Sequence, residues 1–142
     1  MLLLIRISGQ VDLTKEVKET LYRIRLRKKY SAVLIKPTQH NLKILKKIRN
    51  YIAYGTINLE TLNSLIQKRA ILKNSLKSKR IDAEKIIEQI EKKDSKSWDI
   101  KPFFRLHPPR GGIDSKKHFG TSQKAVLGDN KEKINDLVRR ML

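Results

Sequence analysis

Residues 2–8 read LLLIRIS, an apolar run that is interrupted by a single arginine. Its length and composition predict a buried β-strand. An amphipathic helix is expected over about 13–26, a second strand over 31–35, a second amphipathic helix after Thr38, and a third strand over 51–57. This order predicts an α+β fold with a β-α-β-α-β core, in which a small open sheet packs on helices in a ferredoxin-like manner.

The rest of the chain is expected to elaborate this core within a single domain. We place the core at 1–66, a basic, partly helical, peripheral insertion at 67–98, and a strand, a basic loop and a C-terminal helix at 99–142. Residues 113–128 are predicted to form a long loop, which in a compact domain usually signals function or disorder. A capping box that begins at Asp129 is expected to open the final helix.

The charge of the chain narrows the classes of function. Its 142 residues include 33 Lys+Arg against 14 Asp+Glu, a net charge of +19. The positive field of such a charge requires a polyanion to balance it. The candidates are a nucleic acid, an anionic membrane surface and an acidic protein. Membrane-binding helices carry bulky aromatics on a basic amphipathic helix, but aromatics are only 6% of this chain and lie mostly in predicted strands and loops. The sequence shows neither a transmembrane run nor a secretory signal, and nucleic acid is the favoured partner.

Patterns for catalysis and metal binding are absent from the sequence. There is no cysteine, which excludes disulfides, thiolate zinc sites and cysteine nucleophiles. His40, His107 and His118 lack the spacing of metal ligands, which favours RNA contact or simple solvation. The glycine pair at 111–112 belongs to no phosphate-cradling motif. We therefore expect no enzyme activity, no metal and no cofactor.

Cations crowd the end of the first predicted helix and the turn that follows it. The helix dipole favours positive charge there, so part of this cluster has a structural reason. Five cations within seven residues exceed that need and favour contact with phosphates. The cations on the second helix, at 43–49, fit a solvated face as well as a contact surface. The residues of the first cluster predicted to contact RNA are Arg23, Arg25, Arg27, Lys28 and Lys29.

Residues 101–124 mix cations with planar side chains around a single acid, Asp114. RNA-binding surfaces use cations for phosphates and planar groups for unstacked bases or ribose. A second interpretation places one ring of the Phe103–Phe104 pair in the core. Because its cations lack internal partners, we expect this segment to be disordered in the free protein. The residues predicted to contact RNA are Lys101, Arg105, His107, Pro109, Arg110, Gly111, Gly112, Lys116, Lys117, His118, Phe119 and Lys124.

Several short motifs together resemble one family. They are RLHPPRGG at 105–112, KKH at 116–118, LGDN at 127–130, INDL at 134–137, IRISG at 5–9 and YIAYG at 51–55. This set resembles the archaeal and eukaryotic branch of the universal large-subunit ribosomal protein L-thirty family. The resemblance covers about 1–66 and 99–142, and the insertion between them matches nothing in the family pattern.

Two departures qualify the resemblance. The long basic N-terminal extension of eukaryotic members is not seen, so the archaeal form fits better. Members also commonly carry a glycine pair before the last helix, where this sequence has QKAV at 123–126. A close backbone contact at that point is therefore not expected, and Lys124 would act there through its charge.

The resemblance implies a structural constituent of the large ribosomal subunit, placed on the central protuberance side, with its basic loop reaching into rRNA. Its partners would be large-subunit rRNA and other large-subunit proteins, in the cytoplasm, with one copy per ribosome and no small-molecule substrate or membrane. The alternative is a free RNA- or DNA-binding protein, such as an assembly factor or a chromatin protein. A third hypothesis, an RNA-modifying enzyme, would need a polar catalytic cluster, which the sequence does not show. RNA is favoured over DNA, because the sequence contains no helix-turn-helix or zinc module.

Overall fold

The structure is a computed structural model that describes residues 1–73, 82–92 and 97–142. In chain order its elements are β1 (Leu2–Arg6), α1 (Lys15–Arg23), β2 (Ser31–Ile35), α2 (Gln39–Ile48), β3 (Ile52–Thr56), α3 (Leu59–Arg69), α4 (Ala83–Lys92), β4 (Phe104–Arg105), β5 (Asp114–His118), β6 (Ala125–Asp129), a 3₁₀ helix (Lys131–Lys133) and α5 (Ile134–Met141). The strands form one sheet in the order β4-β2-β1-β3-β6-β5. The predicted α+β class and the β-α-β-α-β core are confirmed.

Strand β1 lies between β2 and β3 and runs antiparallel to both. Because side chains alternate across a strand, Leu3 and Ile5 enter the core that α3, α4 and α5 cover, while Leu2 and Leu4 enter the core under α1 and α2. Each fully buried aliphatic side chain contributes roughly 1.5–3 kcal/mol to folding. The apolar run of β1 therefore supports both faces of the sheet.

The outer strands extend this antiparallel centre in two different ways. On one side, β4 pairs antiparallel with β2, and on the other side β6 pairs parallel with β3 and β5 parallel with β6. The two edges of the sheet are thus β4 and β5, and both come from the C-terminal part of the chain.

The predicted long loop at 113–128 is wrong, because this segment contains β5 and most of β6. The sequence DSKKH of β5 lacks apolar alternation since it forms a sheet edge whose side chains are partly or fully exposed. The expected disorder of 101–124 is also contradicted. The Lys101 N–H donates to the Ile71 carbonyl at 2.7 Å, and the Leu106 N–H donates to the Tyr30 carbonyl at 3.0 Å.

The predicted insertion at 67–98 is partly helical, but its described part is not peripheral. Ala83, Ile86 and Ile90 of α4 are buried in the core with Trp98. The side chain of Gln89 donates to the Asp99 carboxylate at 2.7 Å and accepts from the Asp99 N–H at 3.2 Å, which ties α4 to the segment before β4. Most of the basic stretch expected before α4 and of the polar stretch after it, at 74–81 and 93–96, lies outside the described residues.

The start of α2 agrees with the prediction from the sequence, and the start of α5 differs from it. Thr38 caps α2, since its hydroxyl accepts from the Asn41 N–H at 3.3 Å. The capping box predicted at Asp129 is wrong. Its carboxylate accepts from the Lys131 N–H at 2.9 Å, and a 3₁₀ turn separates it from α5. Asp129 therefore closes a local turn at the end of β6, and α5 begins only at Ile134.

The 3₁₀ turn before α5 packs directly on Gly55 of β3. A Cβ atom at Gly55 would lie 2.2 Å from the Lys131 carbonyl oxygen and 2.9 Å from the Cβ of Ile134. The buried Asn135 fixes the same junction, because its amide accepts from the Asn58 N–H at 2.9 Å and donates to the Thr56 carbonyl at 3.1 Å. Gly55 and Asn135, both in family-like motifs, thus serve the packing of α5.

We predict that Gly55→Ala destabilises the protein by about 1–3 kcal/mol or more, because the added methyl overlaps backbone that cannot move freely. Gly9→Ala is the matched control, since a Cβ at Gly9 meets nothing within 4 Å. Urea unfolding followed by circular dichroism measures both. Equal midpoints for Gly55→Ala and the wild type would contradict the packing described here.

Candidate nucleic-acid interface

The first basic surface is the turn after α1, which carries Arg25, Arg27 and Lys28. The buried guanidinium of Arg6 supports this turn. Arg6 is 3% exposed at the end of β1. It donates to the carbonyls of Leu26 and Arg27 at 2.8 and 2.9 Å, and to those of Ser8 and Gly9 at 3.0 and 2.6 Å. Burial lowers the pKa of Arg6, but an arginine remains charged at neutral pH. The turn after α1 is therefore held against the end of the central strand.

The end of α1 brings a cation into a backbone position that glycine usually takes. The Leu26 N–H donates to the Leu21 carbonyl at 2.9 Å and the Arg25 N–H to the Tyr22 carbonyl at 3.0 Å, the pair of bonds that defines a Schellman cap. Arg25 fills the left-handed position of this cap, with φ of 66°. A side chain there is strained, and it projects from the turn together with its neighbours Arg27 and Lys28.

The structure brings this turn together with the start of the second basic segment. The register of β2 and β4 pairs Ser31 with Arg105, although the two residues lie 74 positions apart in the chain. Between the turn and β4 lies a cleft of about 350 Å³. Its lining consists of Arg25, Arg27, Lys28, Ser31, Pro102, Phe103 and Arg105. Two clusters that the sequence presented separately thus form one site.

The two phenylalanines before this edge have different environments. Phe104 is fully buried, as the second interpretation of the pair expected, whereas Phe103 is half-buried and lines the cleft. The guanidinium of Arg105 lies 5.9 Å from the Phe103 ring centroid, and that of Arg27 lies 4.0 Å from the Tyr22 ring centroid. The cleft therefore combines cations with flat apolar surface.

The RLHPPRGG motif forms a second surface against the end of α5. The His107 and Arg110 N–H groups donate to the carbonyls of Met141 and Arg140, both at 3.0 Å. The Arg140 guanidinium donates in return to the Arg110 carbonyl at 2.9 Å and to the Gly112 carbonyl. Gly111 and Gly112 have φ of 76° and 68°, left-handed values that glycine adopts without strain.

Within this second surface, the predicted contact residues differ in exposure. The side chains of His107 and Arg110 are exposed, whereas Pro109 is buried. The ring of Pro109 therefore supports the turn from inside, and we do not propose it as a contact. Arg140, which the sequence did not single out, holds the turn and carries a further positive charge beside it.

The edge strand β5 and the loop to β6 form a third surface. Lys116, Lys117 and Lys124 are exposed, and Lys117 pairs with Asp114 at 3.4 Å. A shallow cleft of about 630 Å³ lies between this strand and the loop, and Lys117 and Lys124 line it. Phe119 is half-buried beside Lys133, whose ammonium lies 5.5 Å from the ring centroid, and His118 is half-buried at the end of the strand.

The remaining predicted contacts lie outside these three surfaces. Arg23 and Lys29 do not line the cleft. Arg23 pairs with Glu19 at 3.9 Å, and the ammonium of Lys29 lies 4.9 Å from the Tyr30 ring centroid. Lys101 is exposed next to the cleft without lining it. Sequence analysis missed Arg6, Phe103 and Arg140 as site residues. A lone arginine inside an apolar run was the available signal for Arg6, and the pair of adjacent phenylalanines among cations was the signal for Phe103, whereas no local signal identified Arg140.

The second helix contributes fewer free cations than its sequence suggests. Lys47 on α2 contacts Glu16 on α1 with 2.7 Å between the ammonium and the carboxylate. The hydrogen bond from Lys47, and then its charge, lowers the pKa of the exposed Glu16 carboxyl. Part of this cluster therefore joins the two helices.

The described residues contain neither a cluster of metal-ligating side chains nor a helix that could span a membrane. In the ranges 1–73, 82–92 and 97–142, no three His, Cys, Asp or Glu side chains come together as a metal site would require. No helix within the same ranges is long and apolar enough to cross a membrane.

The chain is similar to proteins of one family. The model of the family described as Ribosomal protein L30p/L7e matches residues 2–52. A protein of Archaeoglobus fulgidus is 36% identical over 154 residues, which cover 99% of this chain and 99% of the relative. The chain belongs to the ribosomal protein L30p/L7e family. The resemblance seen in the sequence motifs is thereby confirmed.

Other relatives of this L30 family member are similarly close. A protein of Desulfurococcus amylolyticus is 36% identical over 158 residues, covering 98% of the chain and 96% of the relative. One of Methanococcus maripaludis is 34% identical over 154 residues, covering 97% of each. All three relatives are described as large ribosomal subunit protein uL30, and all are archaeal, as the sequence predicted. The predicted absence of enzyme activity agrees with membership of a family of ribosomal structural proteins.

We predict that Arg6→Leu destabilises this L30 family member by about 3 kcal/mol or more, because hydrogen bonds to a charged donor contribute roughly 1.5–3 kcal/mol each. Arg23→Leu is the matched control. Its side chain is 82% exposed and its ion pair with Glu19 is surface-exposed, so we expect a change within about 0.5 kcal/mol. Chemical unfolding of both variants provides the comparison, and similar losses of stability would refute the role of Arg6.

Proposed function

We propose that this protein is a structural constituent of the large ribosomal subunit that binds and stabilises folded large-subunit rRNA. The cleft at β4, where two distant basic segments meet beside the Phe103 ring, is the observation that carries this proposal. Family membership supports the same assignment, since the relatives are described as large-subunit proteins. Its partners would be rRNA and neighbouring large-subunit proteins, and it would act in the cytoplasm as one copy per ribosome.

The arrangement of charge explains how such a protein would act without catalysis. The net charge of +19 lowers the repulsion between phosphates of adjacent RNA segments. The cleft lies at the β4 edge of the sheet and the third surface at the β5 edge. Five strand spacings of about 4.8 Å separate these edges by roughly 24 Å. A rigid sheet of this width would hold two RNA segments at a fixed separation.

RNA fits these surfaces better than a DNA duplex does. The cations lie on several faces and the half-buried rings of Phe103 and Phe119 stand beside them. Folded RNA offers unstacked bases and ribose for such rings as well as phosphates for the cations. A DNA duplex keeps its bases stacked and is usually read by one element placed in a groove.

Sedimentation tests the proposed function. In an extract from an archaeal host that expresses the tagged protein, we expect it in the large-subunit peak at one copy per subunit, even after a high-salt wash. A loose electrostatic binder would lose roughly 10³–10⁵ in affinity between 50 and 200 mM salt and would move to the top of the gradient. That second outcome would indicate a free RNA-binding factor and overturn the assignment.

A matched pair of triple variants adds residue-level evidence to this experiment. The first removes three cations of the cleft, as Arg27→Gln, Lys28→Gln and Arg105→Gln, and the second removes three exposed cations elsewhere, as Lys15→Gln, Lys18→Gln and Lys85→Gln. Both lower the net charge equally. For each phosphate that a removed cation had neutralised, the salt dependence of rRNA binding should fall by about one unit of slope. We expect this fall only for the first variant, and an equal fall for both would show that overall charge alone sets the affinity.

We further predict that Arg25→Gly lowers RNA affinity without lowering folding stability. Glycine removes left-handed strain of about 1–2 kcal/mol, more than the roughly 0.5–1 kcal/mol of extra chain entropy that it loses on folding. The free energy of unfolding should therefore stay level or rise by up to about 1.5 kcal/mol. Affinity for large-subunit rRNA, measured by filter binding, should fall because the variant lacks one cation of the cleft. Unchanged affinity would remove Arg25 from the interface.

A further inference from the structure

We propose that the cleft at β4 binds one unstacked nucleotide of the RNA, with the base against the Phe103 ring and the flanking phosphates on the surrounding cations. The inference rests on the proposed function, because it names the part of the RNA that this site would take. It differs from plain phosphate binding, which the charge of the protein alone would explain. Four properties of the cleft support it.

The first property is size. The cleft measures about 350 Å³, at the lower end of the roughly 300–1,000 Å³ that small-molecule pockets occupy. A phosphate group bound by cations on a convex surface needs no cavity of this kind. One nucleobase with its ribose matches a pocket at the lower end of that range, whereas a stacked helix is too wide to enter it.

The second property is the flat apolar surface. Pro102 and Phe103 are both half-buried and line the cleft, and Phe103 also packs against the apolar core under α1 and α2. A phosphate gains nothing from these rings. A base that has left its stack regains contact by lying on an aromatic face, and every base has such a face.

The third property is charge. The cleft is lined by the exposed cations Arg25, Arg27, Lys28 and Arg105, and no Asp or Glu of the described chain lines it. These cations line the same cleft as the two rings, so the phosphates that flank a base held there would have cations nearby. Arg27 adds a flat wall, since its guanidinium is stacked on Tyr22 at 4.0 Å.

The fourth property is that the site is formed before binding. Arg6 fixes the carbonyls of Leu26 and Arg27 beneath one wall, and the pairing of Ser31 with Arg105 fixes the other. A nucleotide that enters a preformed cleft costs little ordering of the protein, which favours binding.

The experiment uses the full-length protein and two RNA hairpins that carry the same number of phosphates. One has a single bulged 2-aminopurine, and the other has an abasic residue at the bulge. The wild type should bind the base-bearing hairpin roughly five to one hundred times more tightly, which corresponds to one stacked base. The fluorescence of 2-aminopurine should fall on binding, because its base stacks on a protein ring.

Three variants locate the effect. Phe103→Leu keeps the apolar volume without the aromatic face and should abolish most of the preference and the fluorescence change. Phe103→Tyr keeps an aromatic ring at this position. It should retain both the preference for the base-bearing hairpin and the fluorescence change. Tyr54→Leu removes a half-buried ring that packs on the same core but does not line the cleft, and it should behave as the wild type.

Equal affinity of the wild type for the two hairpins, with unchanged fluorescence, would overturn the nucleotide pocket and leave the ribosomal function standing. A preference that persists in Phe103→Leu would also overturn it, because the base would then bind elsewhere. Loss of the wild type from the large-subunit peak in the sedimentation experiment would instead overturn the proposed function. The two failures are therefore separate.

Discussion

The buried guanidinium of Arg6 connects the core of the protein to the cation-lined cleft at β4. Within the described residues it is the one charged side chain that the fold buries, and its partners are backbone carbonyls, with no carboxylate in contact. An isolated charge in the core would be very unfavourable, so the loops before α1 and after α1 must both remain where their carbonyls satisfy it. The same constraint fixes the backbone beneath Arg25, Arg27 and Lys28. The stability of the sheet and the shape of the cleft thus depend on one set of hydrogen bonds.

Residues that make the family recognisable have different physical roles. Gly55 and Asn135 allow α5 and its 3₁₀ turn to pack on β3, and the buried Asn130 donates to the Val126 and Gly128 carbonyls at 2.7 and 3.1 Å. All three residues are buried, so their roles lie in the packing of the fold. In RLHPPRGG, by contrast, His107 and Arg110 are exposed on a turn that Arg140 holds. A motif match therefore supports the fold more directly than it identifies contacts.

The sequence predicted elements whose burial is periodic and missed those whose position depends on distant pairing. The run at 2–8 and the amphipathic patterns of α1, α2 and α5 were sufficient, because each buries one or both faces in a regular way. Strand β5 was missed because an edge strand with exposed lysines has no apolar alternation. The cleft could not be predicted, since the contact between the first basic cluster and Phe103 exists only through the β2–β4 pairing. The role of α4 in the core was missed because its neighbours in sequence are polar.

The two edges of the sheet explain why a scaffold protein would be built in this way. Unpaired edge strands invite aggregation, and proteins commonly protect them with short strands and charged side chains. Here β4 has only two residues and is flanked by the cations of the cleft, and β5 carries Lys116 and Lys117. The same charges that keep the free protein from pairing edge to edge are those that we propose contact RNA. Protection of the edges and the proposed recognition of two RNA segments would therefore both follow from one distribution of charge, with the strand β1 lying between the two charged edges.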